Sequence, residues 1–319
     1  MVVMVTLQDI HDAHAILGSR LHRTPVLTAT TLGAMAGVEL LGKAELLQRT
    51  GSFKPRGVLT KLARLTSEER ARGVIGISAG NHAQALAYGA AREGIACTVV
   101  MPATAVASKV AATRGYGAEV VLHGATTIEA FAEYDRLRTA RRLVAVHPFD
   151  DPYVIAGQGT VGLEILDDVP DVDAVVVPVG GGGLISGIAT ALKEQRPDVR
   201  VVGVEPEGAP SLRCALDAGR VVHLPSVQTL ADGLAAPFAG PLTLDIAQRY
   251  VDDVVLVSDD EIAEALRLTL ERTKLQVEPA GAAGVAALLA RRCGVRPGAR
   301  VVAVLSGGNV DPTRLKGLL

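Results

Sequence analysis

The chain has 319 residues with 21% charged side chains and a formal net charge of -2, which excludes the basic surface of a nucleic-acid binder and points to small-molecule partners. No tryptophan and 3% aromatic content exclude an aromatic platform for single strands, and no apolar run is long enough to span a bilayer. Cys97, Cys214 and Cys293 are odd in number and widely spaced, so they are expected as reduced thiols in a soluble, cytoplasmic protein. In chain order, Ile10, His14 and Leu17 repeat at helical spacing between Thr6 and Arg20. Arg23–Leu27 and Val38–Lys43 read as short strands flanking a helix from Thr31 to Ala36.

Next comes Thr50-Gly51-Ser52-Phe53-Lys54-Pro55-Arg56-Gly57, where Pro55 suits a helix start and Val58, Leu59, Leu62 and Leu65 continue it. Lys54 then sits at the positive end of a helix dipole beside Arg56, and both are expected to disfavour its ammonium form. A lysine kept partly neutral is a nucleophile suited to carbonyl chemistry, including the aldehyde of pyridoxal phosphate. The alternative is a solvated surface lysine.

Apolar runs at Gly73–Ile77, Ala96–Met101, Glu119–Leu122 and Leu143–Val146 alternate with helical stretches. A second series follows at Ala174–Val179, Val201–Val204, Val254–Val257 and Val301–Leu305. This alternation predicts an α/β chain with two parallel-sheet domains. Their expected extents are 1–59 with 152–319 for a discontinuous large domain and 60–151 for a small one, with a site between them.

Three strand ends carry chemistry. After Val179 come Gly180, Gly181, Gly182 and Gly183, followed by a helical pattern from Leu184. Such a turn lets backbone N–H groups approach an anion where a helix dipole favours it. It is not G-x-G-x-x-G, so a monophosphate fits better than a dinucleotide. After Ile77, Ser78-Ala79-Gly80-Asn81-His82 opens a second anion site suited to a carboxylate. After Leu305, Ser306-Gly307-Gly308-Asn309 forms a third turn at a sheet's carboxyl edge. Helix caps, a structural histidine and plain turns are the bland readings of the same residues.

Taken with H-R-T-P-V-L from His22, H-P-F-D from His147, I-A-G-Q-G-T from Ile155, Val204-Glu205-Pro206, Ala231-Asp232-Gly233 and Val277-Glu278-Pro279, the chain resembles the serine/threonine dehydratase family, which includes serine racemase. These are fold-type II pyridoxal-phosphate enzymes, related in fold to the tryptophan synthase β chain. The resemblance implies that Lys54 holds pyridoxal 5'-phosphate covalently, Phe53 and Gly233 flank its ring, and Asn81 bonds the ring hydroxyl. It assigns Gly180, Gly181, Gly182, Gly183 and Leu184 to the phosphate, Ser306 to the pyridine nitrogen, and Ser78, Asn81 and His82 to the substrate carboxylate. Lys54 would then take the Cα proton, the bound phosphate would assist water loss, and a small 3-hydroxy amino acid would give a 2-oxo acid and ammonia.

The expected activity is threonine/serine ammonia-lyase. Racemisation or dehydration of another 3-hydroxy amino acid is the alternative, and a non-catalytic, Rossmann-like anion or nucleotide binder is the rival of a different class. Relatives that bind Mg²⁺ or Ca²⁺ use positions matching Glu205, Ala209 and Ser211. Serine at the third removes an anionic oxygen, so no metal ligands are assigned. Ala79 stands where the racemase has a serine, so elimination without efficient racemisation is expected. A homodimer is implied. Insensitivity to isoleucine is expected from the eight residues that follow Asp311.

Overall fold

The computed structural model describes residues 4–125 and 127–319; residues 1–3 and 126, which the expected domain extents include, lie outside the described residues. Among the described residues ten strands form two sheets. Strands β1 (Val26–Thr28), β2 (Glu39–Lys43), β7 (Ala174–Pro178), β8 (Arg200–Pro206), β9 (Asp253–Val257) and β10 (Arg300–Val304) make a six-stranded sheet in the order β1-β2-β10-β7-β8-β9. Strands β3 (Val74–Ile77), β4 (Cys97–Met101), β5 (Glu119–Leu122) and β6 (Val144–Ala145) make a four-stranded sheet in the order β5-β4-β3-β6.

All pairings are parallel except the edge pair β1 and β2, which is antiparallel in the register Val26 to Lys43. The expectation of two parallel sheets is corrected at that edge. The link from β1 to β2 holds one two-turn helix, Thr30–Ala36, and the chain simply reverses there. The N-terminal helix is Leu7–Leu17, capped by Thr6 and Asp9 in a reciprocal box.

Valine-rich strands bury both faces, because successive side chains point to opposite sides. Ala174, Val176, Val202, Val204, Val301 and Ala303 join one core with the helices Asp259–Thr273 and Pro279–Leu289. Val175, Val177, Val201, Val302 and Val304 join the other with Pro152–Asp168 and Gly183–Lys193.

The helix that begins at Lys54, Lys54–Ala63, runs between the two sheets. Val58 and Leu62 pack into the core of the four-stranded sheet beside Leu86 and Ala90. On its other side Gly57 crosses Gly157, where a Cβ on Gly157 would stand 2.6 Å from the Gly57 Cα. Only bare backbone fits at that crossing, which explains the glycine in I-A-G-Q-G-T.

Candidate active site

The carboxyl ends of β3, β7 and β10 converge on one cavity of about 400 Å³, which also receives the start of the Lys54 helix. Phe53, Lys54, Ser78, Asn81, His82, Gly180, Gly181, Gly182, Gly183, Leu184, Gly233 and Ser306 all line it. Twelve positions singled out in the sequence, spread over more than 250 residues, therefore meet in one place.

Lys54 turns part of its surface to the cavity, and its Nζ donates to the Pro148 carbonyl at 2.8 Å. Burial lowers its pKa to about 8, while the charge of Glu278 opposes the shift. The lowered value was expected, but its expected cause needs correction. Arg56 does not press on Lys54. Its guanidinium is buried and closed by two carboxylates, donating to Glu45 and to Glu164 through paired bonds of 2.7 to 2.8 Å. Desolvation, not a neighbouring cation, favours the neutral amine.

The four glycines have distinct reasons. Gly182 has φ +91°, a left-handed conformation that a side chain strains. A Cβ on Gly181 would run into the Phe149 ring, and one on Gly183 would lie 2.8 Å from the Phe149 carbonyl oxygen. The Thr243 hydroxyl donates to the Gly181 carbonyl at 2.9 Å and fixes the loop from outside. The run thus packs closely against Phe149 and Thr243, and its residues and the first turn of the helix Gly183–Lys193, where N–H groups lack intrahelical partners, border the cavity.

The loop after β3 leads into the helix Asn81–Arg92. The Ser78 hydroxyl accepts from the Gly80 N–H at 3.1 Å. Asn81 donates through Nδ2 to Glu278 Oε1 at 2.6 Å and accepts at Oδ1 from Asn309 at 2.9 Å. His82 is 3% exposed, and its Nε2 donates to the Val146 carbonyl at 2.9 Å. Burial and the nearby Lys54 hold its pKa down to about 3, so the imidazole is neutral. With its ring neutral and bonded to Val146, His82 offers a carboxylate its backbone, and the first-turn N–H groups of this helix lack intrahelical partners.

Glu278 was quoted only as part of a motif, and the structure gives it a place in the cavity wall. It is 3% exposed, and burial together with Asp232 raises its carboxyl to about 7. The acid followed by Pro279 at a helix start was a visible signal for position but carried none for chemistry. Lys109 and Asp232, paired at 2.5 Å, also border the cavity; Asp232 was quoted only as part of a motif, and Lys109 was not anticipated.

Glu205, buried on β8, accepts from Ser211 Oγ at 3.2 Å, the Leu212 N–H at 2.7 Å and the Arg213 N–H at 2.8 Å. Protein donors satisfy this carboxylate. Among the described residues no group of three His, Cys, Asp or Glu could hold a metal ion.

A family model described as pyridoxal-phosphate dependent enzyme matches residues 19–307. The chain belongs to the pyridoxal-phosphate dependent enzymes. It is 48% identical over 308 residues to an L-threonine ammonia-lyase of Thermotoga maritima, covering 97% of this chain and 76% of the relative. It is 42% identical over 312 residues to the catabolic L-threonine dehydratase of Escherichia coli K12, covering 98% and 95%. Among solved structures, maize serine racemase superposes with a TM-score of 0.94 at 38% identity, covering 99% of this chain and 97% of that one. The fold is accordingly that of the fold-type II enzymes of this family. The cavity suits such a cofactor: an amine whose pKa burial lowers to about 8 at one wall, a run of glycines packed too closely on Phe149 and Thr243 to carry a Cβ at a second, and the buried Ser306 at a third.

Proposed function

We propose that this pyridoxal-phosphate dependent enzyme is a threonine/serine ammonia-lyase, converting L-threonine to 2-oxobutanoate and L-serine to pyruvate, each with ammonia. The observation that carries the reading is the Lys54 amine, brought to about 8 by burial, in a cavity walled by the asparagine and tetraglycine loops. The relatives named L-threonine ammonia-lyase and L-threonine dehydratase support the same reaction class.

In this reading Lys54 holds pyridoxal phosphate, Gly180 to Gly183 and Leu184 take its phosphate, Phe53 and Gly233 border its ring, and Asn81 and Ser306 meet its polar edges. When bound, the cofactor supplies the electron sink that lets an amino acid's Cα–H bond break heterolytically. Lys54 Nζ takes that proton as a general base, which its lowered pKa allows near neutral pH. Ser78 and the first-turn N–H groups at Asn81 and His82 bind the substrate carboxylate, orienting the Cα–H bond toward Nζ. Ser306 offers a hydroxyl, which carries no charge and cannot hold a full positive charge on a ring nitrogen. That would favour elimination of the β-hydroxyl, as water with a proton balancing the one taken from Cα, over transamination.

Racemisation is the second reading, supported by the likeness to maize serine racemase. Ala79, which borders the cavity, weighs against it, since a methyl group neither donates nor accepts a proton. We further propose units of 1–59 with 152–319 and of 60–151, in keeping with the residues of the two sheets. A cytoplasmic homodimer is the accompanying proposal, carried by the family resemblance and testable by sedimentation equilibrium; no described helix is long and apolar enough to cross a membrane.

The test is a panel of 3-hydroxy amino acids with 2-oxo acid release as readout, run beside absorption spectra of wild type and Lys54→Ala. Fastest release from L-threonine or L-serine is expected, with colour and turnover both lost in Lys54→Ala, the turnover by about 10²- to 10⁴-fold or more. A coloured, active Lys54→Ala protein would overturn the assignment.

A further inference from the structure

Asn81, used in the proposed reaction, is bonded to two side chains, Glu278 and Asn309, that the reaction as proposed does not use. Its Nδ2 donates to Glu278 Oε1 at 2.6 Å. Its Oδ1 accepts from Asn309 Nδ2 at 2.9 Å, and the same Asn309 nitrogen donates to the Thr50 carbonyl at 2.7 Å. A primary amide has two N–H donors, so Asn309 spends both, one on Asn81 and one on Thr50.

Turning the Asn81 amide over would set its NH₂ against the Asn309 NH₂, whose own orientation the Thr50 carbonyl holds, and its oxygen against the ionised form of Glu278. The orientation is therefore single. One Asn81 N–H is left over, and Asn81 and Glu278 both border the cavity. Space enforces the arrangement as well: a Cβ on Gly307 would stand 2.5 Å from Glu278 Oε1 and 3.1 Å from Asn81 Nδ2.

The Thr50 end is equally constrained. Thr50 adopts φ +61°, ψ +13°, a left-handed conformation that is uncommon for a β-branched residue and held only where surroundings over-determine it. Gly51 follows with φ +72°, its carbonyl accepts from the Gly308 N–H at 3.0 Å, and a Cβ there would lie 2.5 Å from Asn309 Oδ1. Asn309 thus joins the turn that delivers Lys54, four residues on, to the amide that faces the cavity.

We propose that Glu278 and Asn309 are positioning residues that clamp the Asn81 amide in one orientation, keeping its remaining N–H available as a donor to the bound cofactor. The proposal rests on the reading of Lys54 and Asn81 given above. Glu278 serves as an acceptor, a role that a neutral carbonyl also fills. Asn309 serves as a donor, a role that no apolar residue fills.

The experiment uses holoprotein and two readouts besides turnover: the pH titration of the lysine-bound cofactor's absorption and the cofactor dissociation constant by dialysis against pyridoxal phosphate. Asn309→Ala and Asn81→Ala are each expected to shift the titration and to weaken binding about tenfold, as for loss of one good hydrogen bond. Their double variant is expected to match Asn81→Ala alone, since Asn309 acts through Asn81. In cofactor binding, where loss of the Glu278 charge beside Lys54 does not enter as it does in the titration, Glu278→Gln, which keeps an acceptor, is expected within about twofold of wild type and Glu278→Ala is expected to match Asn309→Ala.

If Asn309→Ala adds its full effect on top of Asn81→Ala, it acts through the Thr50 turn and the proposal is overturned. If Asn81→Ala moves both readouts and Asn309→Ala moves neither, the clamp fails and the reading of Asn81 stands. If Asn81→Ala is itself silent while Lys54→Ala abolishes the colour, both the clamp and the role of Asn81 fall. Circular dichroism of each apoprotein separates these outcomes from misfolding, and a misfolded alanine variant is replaced by Asn309→Ser, which shortens the donor's reach and is expected to behave like Asn309→Ala.

Discussion

Arg56 Nη1 donates to Glu164 Oε1 at 2.7 Å while Arg56 Nη2 donates to Glu164 Oε2 at 2.8 Å, a buried two-pronged bridge two residues beyond Lys54. Lys43 completes the group from β2, its Nζ 2.6 Å from Glu164 Oε2. Two cations and two carboxylates, Glu45 being the second, thus neutralise one another inside the core, which spares each the cost of solitary burial.

Arg56→Ala should leave Glu45 and Glu164 buried and short of a partner. A loss of about 3–5 kcal/mol is expected in urea unfolding of the apoprotein. Arg56→Lys should recover little, because an ammonium cannot match two carboxylates through paired parallel bonds. An unchanged midpoint for either variant would show that the network contributes no stability.

The Lys54 value sets a pH dependence with a definite sign. An unfolded chain keeps its lysine proton to the ordinary value of 10.5, whereas the folded chain gives it up at about 8. Between these values the unfolded state binds more protons, so apoprotein stability rises with pH, and burial of the charged form costs stability below about pH 8. The difference between wild type and Lys54→Met should therefore grow in the wild type's favour from pH 8 to 10, by at most about 1.4 kcal/mol per pH unit. The rate at which apoprotein captures pyridoxal phosphate should rise along the same curve, half-maximal near pH 8. A flat difference in both measurements would place the neutralising group elsewhere.

Glu205 already accepts three protein donors, so stripping divalent cations with a chelator should change turnover by less than about twofold. Ser211→Asp would bring a second carboxylate to a buried one now only a hydroxyl's length away, 3.2 Å from Ser211 Oγ. That variant should be destabilised without added cation and regain its thermal midpoint with Ca²⁺ or Mg²⁺, hard cations that seek anionic oxygen. Strong loss of wild-type activity on chelation would contradict the first expectation.

Ala79 leaves the cavity without a hydroxyl at the residue before Gly80. L-serine should yield pyruvate with D-serine below a few per cent of it, roughly the level of an uncatalysed side reaction against a general-base step of 10²–10⁴. Ala79→Ser should raise D-serine formation by at least about tenfold on the same scale, read by chiral chromatography. Wild-type D-serine formation comparable to pyruvate release would sink the one-base reading.

What the sequence disclosed follows the range of each interaction. Strands such as Arg300–Val304 and helices such as Asn81–Arg92 are written in local periodicity, and the glycine turns mark the strand ends where a cavity can open. The antiparallel β1 was hidden because three residues carry no direction. The neutralisation of Arg56 depends on Glu164, 108 positions away, and the clamp on Asn81 depends on Asn309, 228 positions away. Local spacing holds no trace of such pairs. His82 shows the same limit from the other side: its motif suggested a polar role, but only burial against Val146 reveals an uncharged ring.

The pairing of β2 with β10, Glu39 beside Arg300, has a consequence for how the chain comes together. A nascent polypeptide exposes the Lys54 segment long before β10, which pairs with β2, and the Ser306 turn, which meets Phe53, have emerged. Contacts of such long separation demand loop closure before they return any stabilisation, so this part of folding is slow. Until it is done, the apolar edge of β2 lies open to other chains, and crowded, rapid expression should favour aggregates over enzyme. A chain cut short before β10 would keep the reactive lysine but lose the Ser306 carbonyl that accepts from the Phe53 N–H beside it.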